Sequence, residues 1–429
     1  MYSFNQRFSG DVPAKALCPG LQHPPHYGIP YYSNYALLTK EFGLVQVVRI
    51  NQNLLHYIYS MTATITSIKL YASKIRLKSP FIISLGPLTH AENVIVIIET
   101  KEGIVGTGEC SPFMTINGES METGMVVGKY LATMLKGKNA LDIEGCHNAM
   151  NSVIYGNNSI KSAFDMALYD IASQQAGLPL YAFLGGSNNK ALVTDYTVSF
   201  KDAATMAVDA ATIQAKGFTV IKVKLGGTKE DDIERIRQIR EAVGMEIPIR
   251  IDANQGWNTA DAIEILIALK PYKIQHCEEP IPRWDFMELP FIKQKSPIKI
   301  MADESCCDEH DAKRLLDLGA CDLLNVKLGK SSGIFRAEKI IALSEQRGIQ
   351  IQMGGFLESR VGFTAAAHVA LSSDTIIHCD FDTPLMFEED PVENGIHYTN
   401  KGEIIMPEAA GLGARFNEQY LAKLDKIVL

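Results

Sequence analysis

Five short apolar runs in the second half of the chain close on charged side chains. They are "IKVKLGG" with Lys222 and Lys224, "RIDANQGW" with Asp252 and Asn254, "HCEEP" with Glu278, "IMADES" with Asp303, and "NVKLGK" with Lys327. On a strand the side chains alternate with period two, so Lys222 and Lys224 share one face while Ile221, Val223 and Leu225 take the other. An aspartate after a strand is more often the N-cap of the next helix than a ligand, and that accounts for Asp252 or Asp303 alone. It does not account for three acids spaced 26 and 25 residues apart, because three carboxylates brought together repel unless a cation neutralises them. An all-oxygen set suits a hard divalent ion, Mg²⁺ first, since it keeps positions open for water or substrate oxygens. Glu279 and Glu304 have the wrong strand parity for ligands and read as supporting partners. One buried lysine is as readily an ion-pair partner as a catalyst; lysines on both sides of a metal point to two bases.

That arrangement implies a reaction. A carboxylate substrate on Mg²⁺ has its charge withdrawn, so the α-proton becomes removable and the resulting enediolate is held by the metal and an ammonium. Lysines on opposite sides of the α-carbon remove the proton from one face and return it to the other, which is racemisation or epimerisation. A lysine base near neutral pH needs a lowered pKa, expected here from burial and neighbouring cations.

The residues are far apart in sequence, so a fold must gather them. Apolar strands end at Val198, Leu225, Ile251, Cys277, Met301, Val326, Met353 and Cys379, each but the last followed by a helical stretch such as "EDDIERIRQIREAV". Near-constant spacing predicts an α/β chain whose residues 191–383 form a (β/α)₈ barrel rather than an open sheet, with its chemistry at the C-terminal strand ends. Upstream, "ATITSIKLYA", a hairpin in "NVIVIIETKEGIVGTGECSP" and helical periodicity from about Glu122 predict an α+β domain over residues 61–190. Residues 384–429 lack the barrel repeat and are expected to pack back on that domain. Residues 1–60 are expected to be an extension, poorly ordered or upstream of a true start at Met61, or else an added strand or helix.

Composition narrows the function. The chain has 429 residues, 46% hydrophobic and 21% charged, with a formal net charge of −8. With no basic run, this argues against nucleic-acid binding or a membrane-surface patch and favours small-molecule chemistry. The eight cysteines (Cys18, Cys110, Cys146, Cys277, Cys306, Cys307, Cys321 and Cys379) form no CxxC pair and read as reduced thiols of a cytoplasmic protein. No apolar run reaches membrane-spanning length, and the first residues lack a signal-peptide pattern.

From Met61 to Leu429 the ordered motifs "KVK", "DANQGW", "EEP", "ADES" and "VKLGK" resemble the enolase superfamily, muconate-lactonizing-enzyme subgroup, where a lysine base working with Mg²⁺ is an established pattern. Within the subgroup, "CDFDTP" with Asp380 and Asp382 is similar to the DxD motif of dipeptide epimerases. The resemblance implies Lys224 and Lys327 as the acid/base pair, and Lys222 as the group that stabilises the enediolate and contacts the carboxylate. It implies Asp252, Glu278 and Asp303 as Mg²⁺ ligands. Asp380 and Asp382 would take the substrate ammonium, and Thr197, Gly355 and Phe356 would line the dipeptide site. The first domain would be a cap supplying two specificity loops, "SPFIISLGPLTHAENV" and "ECSPFMTINGES".

One departure matters. Ala-Glu epimerases often carry an arginine in the first loop, and Leu88 stands at the matching position here. A loop without a cation disfavours a buried substrate carboxylate by several kcal/mol, so a small or hydrophobic dipeptide such as D-Ala-D-Ala is expected. The alternatives are an L-Ala-D/L-Glu epimerase, an o-succinylbenzoate synthase-type lyase and an N-acylamino acid racemase. Further off stand a non-catalytic barrel and a Schiff-base aldolase. A homo-oligomer is expected, and peptides from the cell wall are a natural substrate source.

Overall fold

A computed structural model describes residues 61–429; the expectations placed on residues 1–60 lie outside the described residues. Three antiparallel strands open this part of the chain: β1 (Ile65–Ile83), β2 (Gly86–Thr100) and β3 (Val105–Cys110). The face carrying Ile68, Leu70, Val94, Val96 and Ile98 is buried against α1 (Met121–Leu135), α2 (Ile143–Val153) and α3 (Asn158–Gln175). β1 is longer than the sequence pattern predicts. It runs on to Ile83, so the first specificity loop is a hairpin tip in which Phe81 pairs with Leu88 and Gly86 takes a φ of +123°.

The barrel strands follow as β4 (Tyr196–Val198), β5 (Ile221–Lys224), β6 (Ile249–Asp252), β7 (Ile274–Glu278), β8 (Lys299–Ala302), β9 (Leu323–Lys327), β10 (Gln350–Gly354) and β11 (Ile376–Cys379). They pair in parallel in chain order. A bridge from Thr194 to Cys379 links the first to the last. Seven helices separate them: α4 (Ala203–Ala215), α5 (Lys229–Val243), α6 (Thr259–Ala268), α7 (Leu289–Lys295), α8 (Glu309–Leu318), α9 (Ile334–Arg347) and α10 (Arg360–Ala370). The outward strand residues Ile221, Val223, Ile249 and Ile251 join the apolar shell beneath these helices. That burial, roughly 2 kcal/mol per large side chain, holds the inward residues in place.

The glycines after β5 make room for the strand ends to converge. Gly226 has a φ of +108°, and a Cβ there would stand 2.5 Å from the Ala253 carbonyl oxygen. The chain's last strand, β12 (Lys426–Val428), pairs antiparallel with β1. Glu109 of β3 joins the two domains: its carboxylate accepts from the Ser359 N–H at 2.8 Å and the Gly362 N–H at 2.9 Å, at the start of α10. The seven cysteines among the described residues are free thiols, six of them buried. Among the described residues no helix is long and apolar enough to cross a membrane.

Candidate active site

Strand register places the charged residues side by side: Lys224 opposite Asp252, Asp252 opposite Glu278, and Thr197 opposite Lys222. Asp252, Glu278 and Asp303 are fully buried. The following helices are capped by other residues, Asn258 for α6 and Asp308 for α8, so neither aspartate is a helix cap. Asp382 likewise makes no side-chain capping bond to the short helix after it.

Ammonium groups meet these carboxylates. Lys224 Nζ donates to Asp252 Oδ2 at 2.6 Å. Lys222 Nζ donates to Glu278 Oε2 at 2.8 Å and to Asp380 Oδ2 at 2.7 Å, and lies 3.2 Å from Asp252 Oδ2. Lys327 Nζ donates to Asp303 Oδ2 at 2.7 Å, while Lys330 takes Oδ1 at 2.5 Å. Two amides complete Glu278: Asn325 donates at 2.7 Å and Gln352 at 3.2 Å. Among the described residues no three acid, histidine or cysteine side chains are gathered as a metal cluster.

The sums of charge differ from the sequence-based expectation. Burial lowers Lys327, but Asp303 and Glu278 outweigh it and hold the ammonium above its ordinary value. Lys222 is also raised: burial opposes, while Asp380, Glu278 and Asp252 prevail. For Lys327 and Lys222 the neighbouring carboxylates thus outweigh the lowering that burial brings. Burial would raise Asp303 and Asp380 too, yet Lys327 with Lys330, and Lys222 with Lys224, hold them well below the usual carboxylate range. Glu278 goes the other way, pushed up to about 7 by burial and by Asp252. Asp382 also reaches about 7, through burial and Asp380.

Supporting groups stand behind. Glu279 Oε2 accepts the Asp303 N–H at 2.6 Å, and its other oxygen meets the Ser305 hydroxyl. Glu304 Oε1 accepts from Asn254 Nδ2 at 3.3 Å. Asn254 Oδ1 and Glu304 Oε2 are buried without a partner among the described residues.

Above this floor lies a cavity lined by Thr197, Lys224, Asn254, Lys327, Gly355, Phe356, Leu357, Asp380, Asp382 and Thr383 of the barrel. The first domain adds Phe81, Ile83, Phe113 and Ile116. Each catalytic candidate stands by an aromatic ring: Lys224 Nζ is 5.9 Å from the centre of Phe81, and Lys327 Nζ is 5.0 Å from that of Phe356. Gly355 must lack a side chain, since a Cβ would stand 2.4 Å from Phe363. The wall is tied to the barrel by Ser84, which donates to the Asn254 carbonyl at 2.9 Å, and by Arg283, which donates to the Ile116 carbonyl.

The structure thus brings Thr197, Lys224, Lys327, Gly355, Phe356, Asp380 and Asp382 to one cavity, with Lys222, Asp252, Glu278 and Asp303 buried in the floor. Leu88 is not among the lining residues. Paired with Phe81 across the hairpin, it packs behind the wall on the cluster of Ile83, Phe113, Ile116 and Phe356. Sequence reasoning missed Lys330, Asn325 and Gln352. Lys330 is the last letter of "VKLGK", but it lies in the turn beyond β9, where strand parity says nothing. Asn325 stands two residues before Lys327 on one strand and was legible by the same alternation that paired Lys222 with Lys224.

A catalytic barrel capped by an α+β domain, with acids and lysines at its strand ends, has counterparts among known proteins. Residues 65–185 match the mandelate racemase / muconate lactonizing enzyme N-terminal domain, and residues 205–420 match the enolase C-terminal domain-like family. The chain belongs to this enolase-type family of mandelate racemases and muconate lactonizing enzymes. It is 59% identical to the D-Ala-D/L-Ala epimerase of Cytophaga hutchinsonii over 85% of this chain and 99% of that protein. The crystal structure of a dipeptide epimerase from that organism, complexed with Mg and D-Ala-L-Val, superposes with a TM-score of 0.85, covering 86% of this chain and all of that one. The hydrophobic dipeptide epimerase of Enterococcus faecalis is 39% identical over 81% of this chain and 99% of that protein. The L-Ala-D/L-Glu epimerase of Bacillus subtilis is 39% identical over 79% and 93%. With such relatives, the chain is an isomerase of the racemase and epimerase kind.

Proposed function

We propose that the protein is a Mg²⁺-dependent dipeptide epimerase that inverts the α-carbon of the C-terminal residue of small or hydrophobic dipeptides, D-Ala-D-Ala among them. One observation carries this. Lys224 and Lys327 face a single cavity over buried carboxylates, beneath a wall of Phe81, Ile83, Phe113 and Ile116 that has no charge. The epimerase of Cytophaga hutchinsonii, so named for D-Ala-D/L-Ala, supports the substrate class.

Asp252, Glu278 and Asp303 would hold the ion. The donor set is all oxygen and fully buried, as a hard cation prefers; its oxygens are here paired with lysine ammonium groups rather than gathered on one point, and the oxygens of Asn254 and Glu304 beside it, which have no partner among the described residues, would suit the water of a hydrated ion. Bound there, Mg²⁺ supplies positive charge that acidifies the α-proton of a carboxylate substrate and opposes the ammonium form of the neighbouring lysines. Lys224 and Lys327 then act from opposite strands, one taking the α-proton at Nζ and the other giving a proton to the opposite face. Lys222, deeper by one pleat, holds the negative charge left on the substrate. Asp380, which also accepts from Lys222 at 2.7 Å, and Asp382 take the terminal ammonium, and Thr197, Gly355 and Phe356 shape the space around the dipeptide.

The end of the site at Asp380 and Asp382 separates the alternatives. An o-succinylbenzoate synthase or an N-acylamino acid racemase has no free ammonium to offer two acids, and an Ala-Glu substrate would bring a carboxylate to the apolar wall. Assembly as a homo-oligomer, a cytoplasmic setting with free thiols and work on cell-wall peptides belong to the same proposal. A panel of dipeptides incubated in D₂O with Mg²⁺ tests it. α-Deuteration and inversion of Ala-Ala and apolar dipeptides, lost with a chelator and restored by Mg²⁺, are expected; turnover confined to Ala-Glu would overturn it.

A further inference from the structure

Beside the end of the cavity where Asp380 and Asp382 stand lies a second cleft that the reaction above does not use. Phe81 and Thr197 line both spaces. The volume open to the centre of a water molecule is about 30 Å³ in the reaction cavity and about 190 Å³ in the second cleft. A long side chain on the first residue has a way out of the smaller space past Phe81 and Thr197 into the second cleft; the other neighbouring cleft, which shares Phe113 and Leu357 with the cavity, is lined by Glu92, Glu119 and Glu122 and would repel an anion.

The second cleft is basic. Lys78, Lys201 and Lys216 line it against one acid, Asp209, which is already engaged by Lys201 at 2.7 Å. Lys78 Nζ donates to a main-chain carbonyl, that of Leu385, at 2.9 Å, and Lys216 Nζ lies 6.0 Å from the ring of Tyr196. Among the described residues, two ammonium charges, those of Lys78 and Lys216, are therefore left without a carboxylate at the mouth.

We infer that this cleft receives the side chain of the dipeptide's first residue where that side chain is long, and favours a carboxylate there, so that the small or apolar character proposed above is required of the second residue while Asp or Glu is favoured in the first. The inference rests on the dipeptide epimerase proposed above. Because the lysines are solvent-exposed, each ion pair is worth about threefold to fivefold in kcat/KM. The gain falls mainly in KM, since a remote side chain is held alike in the ground and transition states, and salt screens it.

The test follows α-deuteration of the second residue in Ala-Ala, Gln-Ala, Glu-Ala and Lys-Ala with Mg²⁺ in D₂O. Glu-Ala is expected to exceed its isostere Gln-Ala by about tenfold in kcat/KM, with Lys-Ala lowest, and the gap should shrink at about 0.5 M salt. In the Lys78→Gln/Lys216→Gln protein the Glu-to-Gln ratio should fall toward one. Equal rates for Glu-Ala and Gln-Ala in the unaltered chain, a gap indifferent to salt, or a ratio unchanged in the double variant overturns the inference and leaves the epimerase standing. Exchange on none of the four overturns both.

Discussion

The floor and the wall of the cavity are built on opposite principles. The floor comes from barrel strands and crowds buried charge: lysines 222, 224, 327 and 330 meet acids 252, 278, 303 and 380 within 2.5–3.2 Å. The wall comes from the first domain and is uncharged, with Ile83, Phe113 and Ile116 packed on Phe356. Buried charges tolerate almost no displacement, because a lost partner leaves an ion unpaired in low dielectric. Apolar contacts are non-directional and tolerate exchange of shape for shape. A floor of the first kind fixes a reaction, and a wall of the second can change substrate without touching it.

The strongest way to break this contrast is to remove one of the two lysines proposed as bases. Lys224→Ala and Lys327→Ala should each lower kcat for interconversion of the epimers by about 10³-fold or more, near the upper reach of a positioned acid or base, with Mg²⁺ binding retained by calorimetry. Near-normal interconversion in either variant would end the two-base scheme.

The next effect lies at the wall's root and is read as stability. Glu119 accepts the Ser159 N–H at 3.1 Å, at the start of α3, yet burial pushes its carboxyl up from 4.5 to about 7. A carboxyl whose folded pKa is raised keeps its proton while the unfolded chain loses it, so stability falls as pH rises between about 4.5 and 7. The linkage ceiling for that interval is about 3 kcal/mol. Glu119→Gln cannot ionise, so its melting temperature relative to the unaltered protein should improve from pH 5 to pH 8. A pH-independent difference would mean that Glu119 is charged in the fold.

Asp382→Asn tests the join between the two regions. The amide can still accept the Thr197 N–H, now bonded to the carboxylate at 2.7 Å, but it no longer opposes a substrate ammonium. KM should rise about 30-fold, the worth of roughly 2 kcal/mol for one charge-assisted bond, with kcat far less affected. A fall confined to kcat would move Asp382 from binding to catalysis.

The same contrast explains what was legible in the sequence. Charge at period two on a short apolar strand is rare enough to stand out, so Lys222, Lys224, Asp252, Glu278 and Asp303 could be assembled from spacing once a barrel was inferred. Lys330 could not, being in a turn. The direction of the lysine pKa values could not either, since it depends on distances to Asp303 and Asp380 that exist only in three dimensions. The wall was least legible. An apolar residue in a hairpin carries no sign of which side it faces, so Leu88 stood for the loop while Ile83 and Ile116 in fact line the cavity.

Those two residues carry the smallest and most diagnostic effect. Ile116 is 4% exposed and lines the cavity above Lys224 and Lys327, while its carbonyl is held by Arg283. Ile116→Ala therefore removes side-chain volume without releasing the main-chain tie. A pocket enlarged by a few methylene groups shifts discrimination by about 1–3 kcal/mol, opposed here by some collapse of neighbouring Phe113 and Phe356. Ala-Ala should lose about threefold to tenfold in kcat/KM while Ala-Leu and Ala-Phe gain a similar factor. α-Proton exchange per bound substrate should stay unchanged, because no floor contact is altered. If Ile116→Ala instead slowed exchange equally on small and large dipeptides, the wall would be positioning the lysines, and the division between a floor that reacts and a wall that selects would fail.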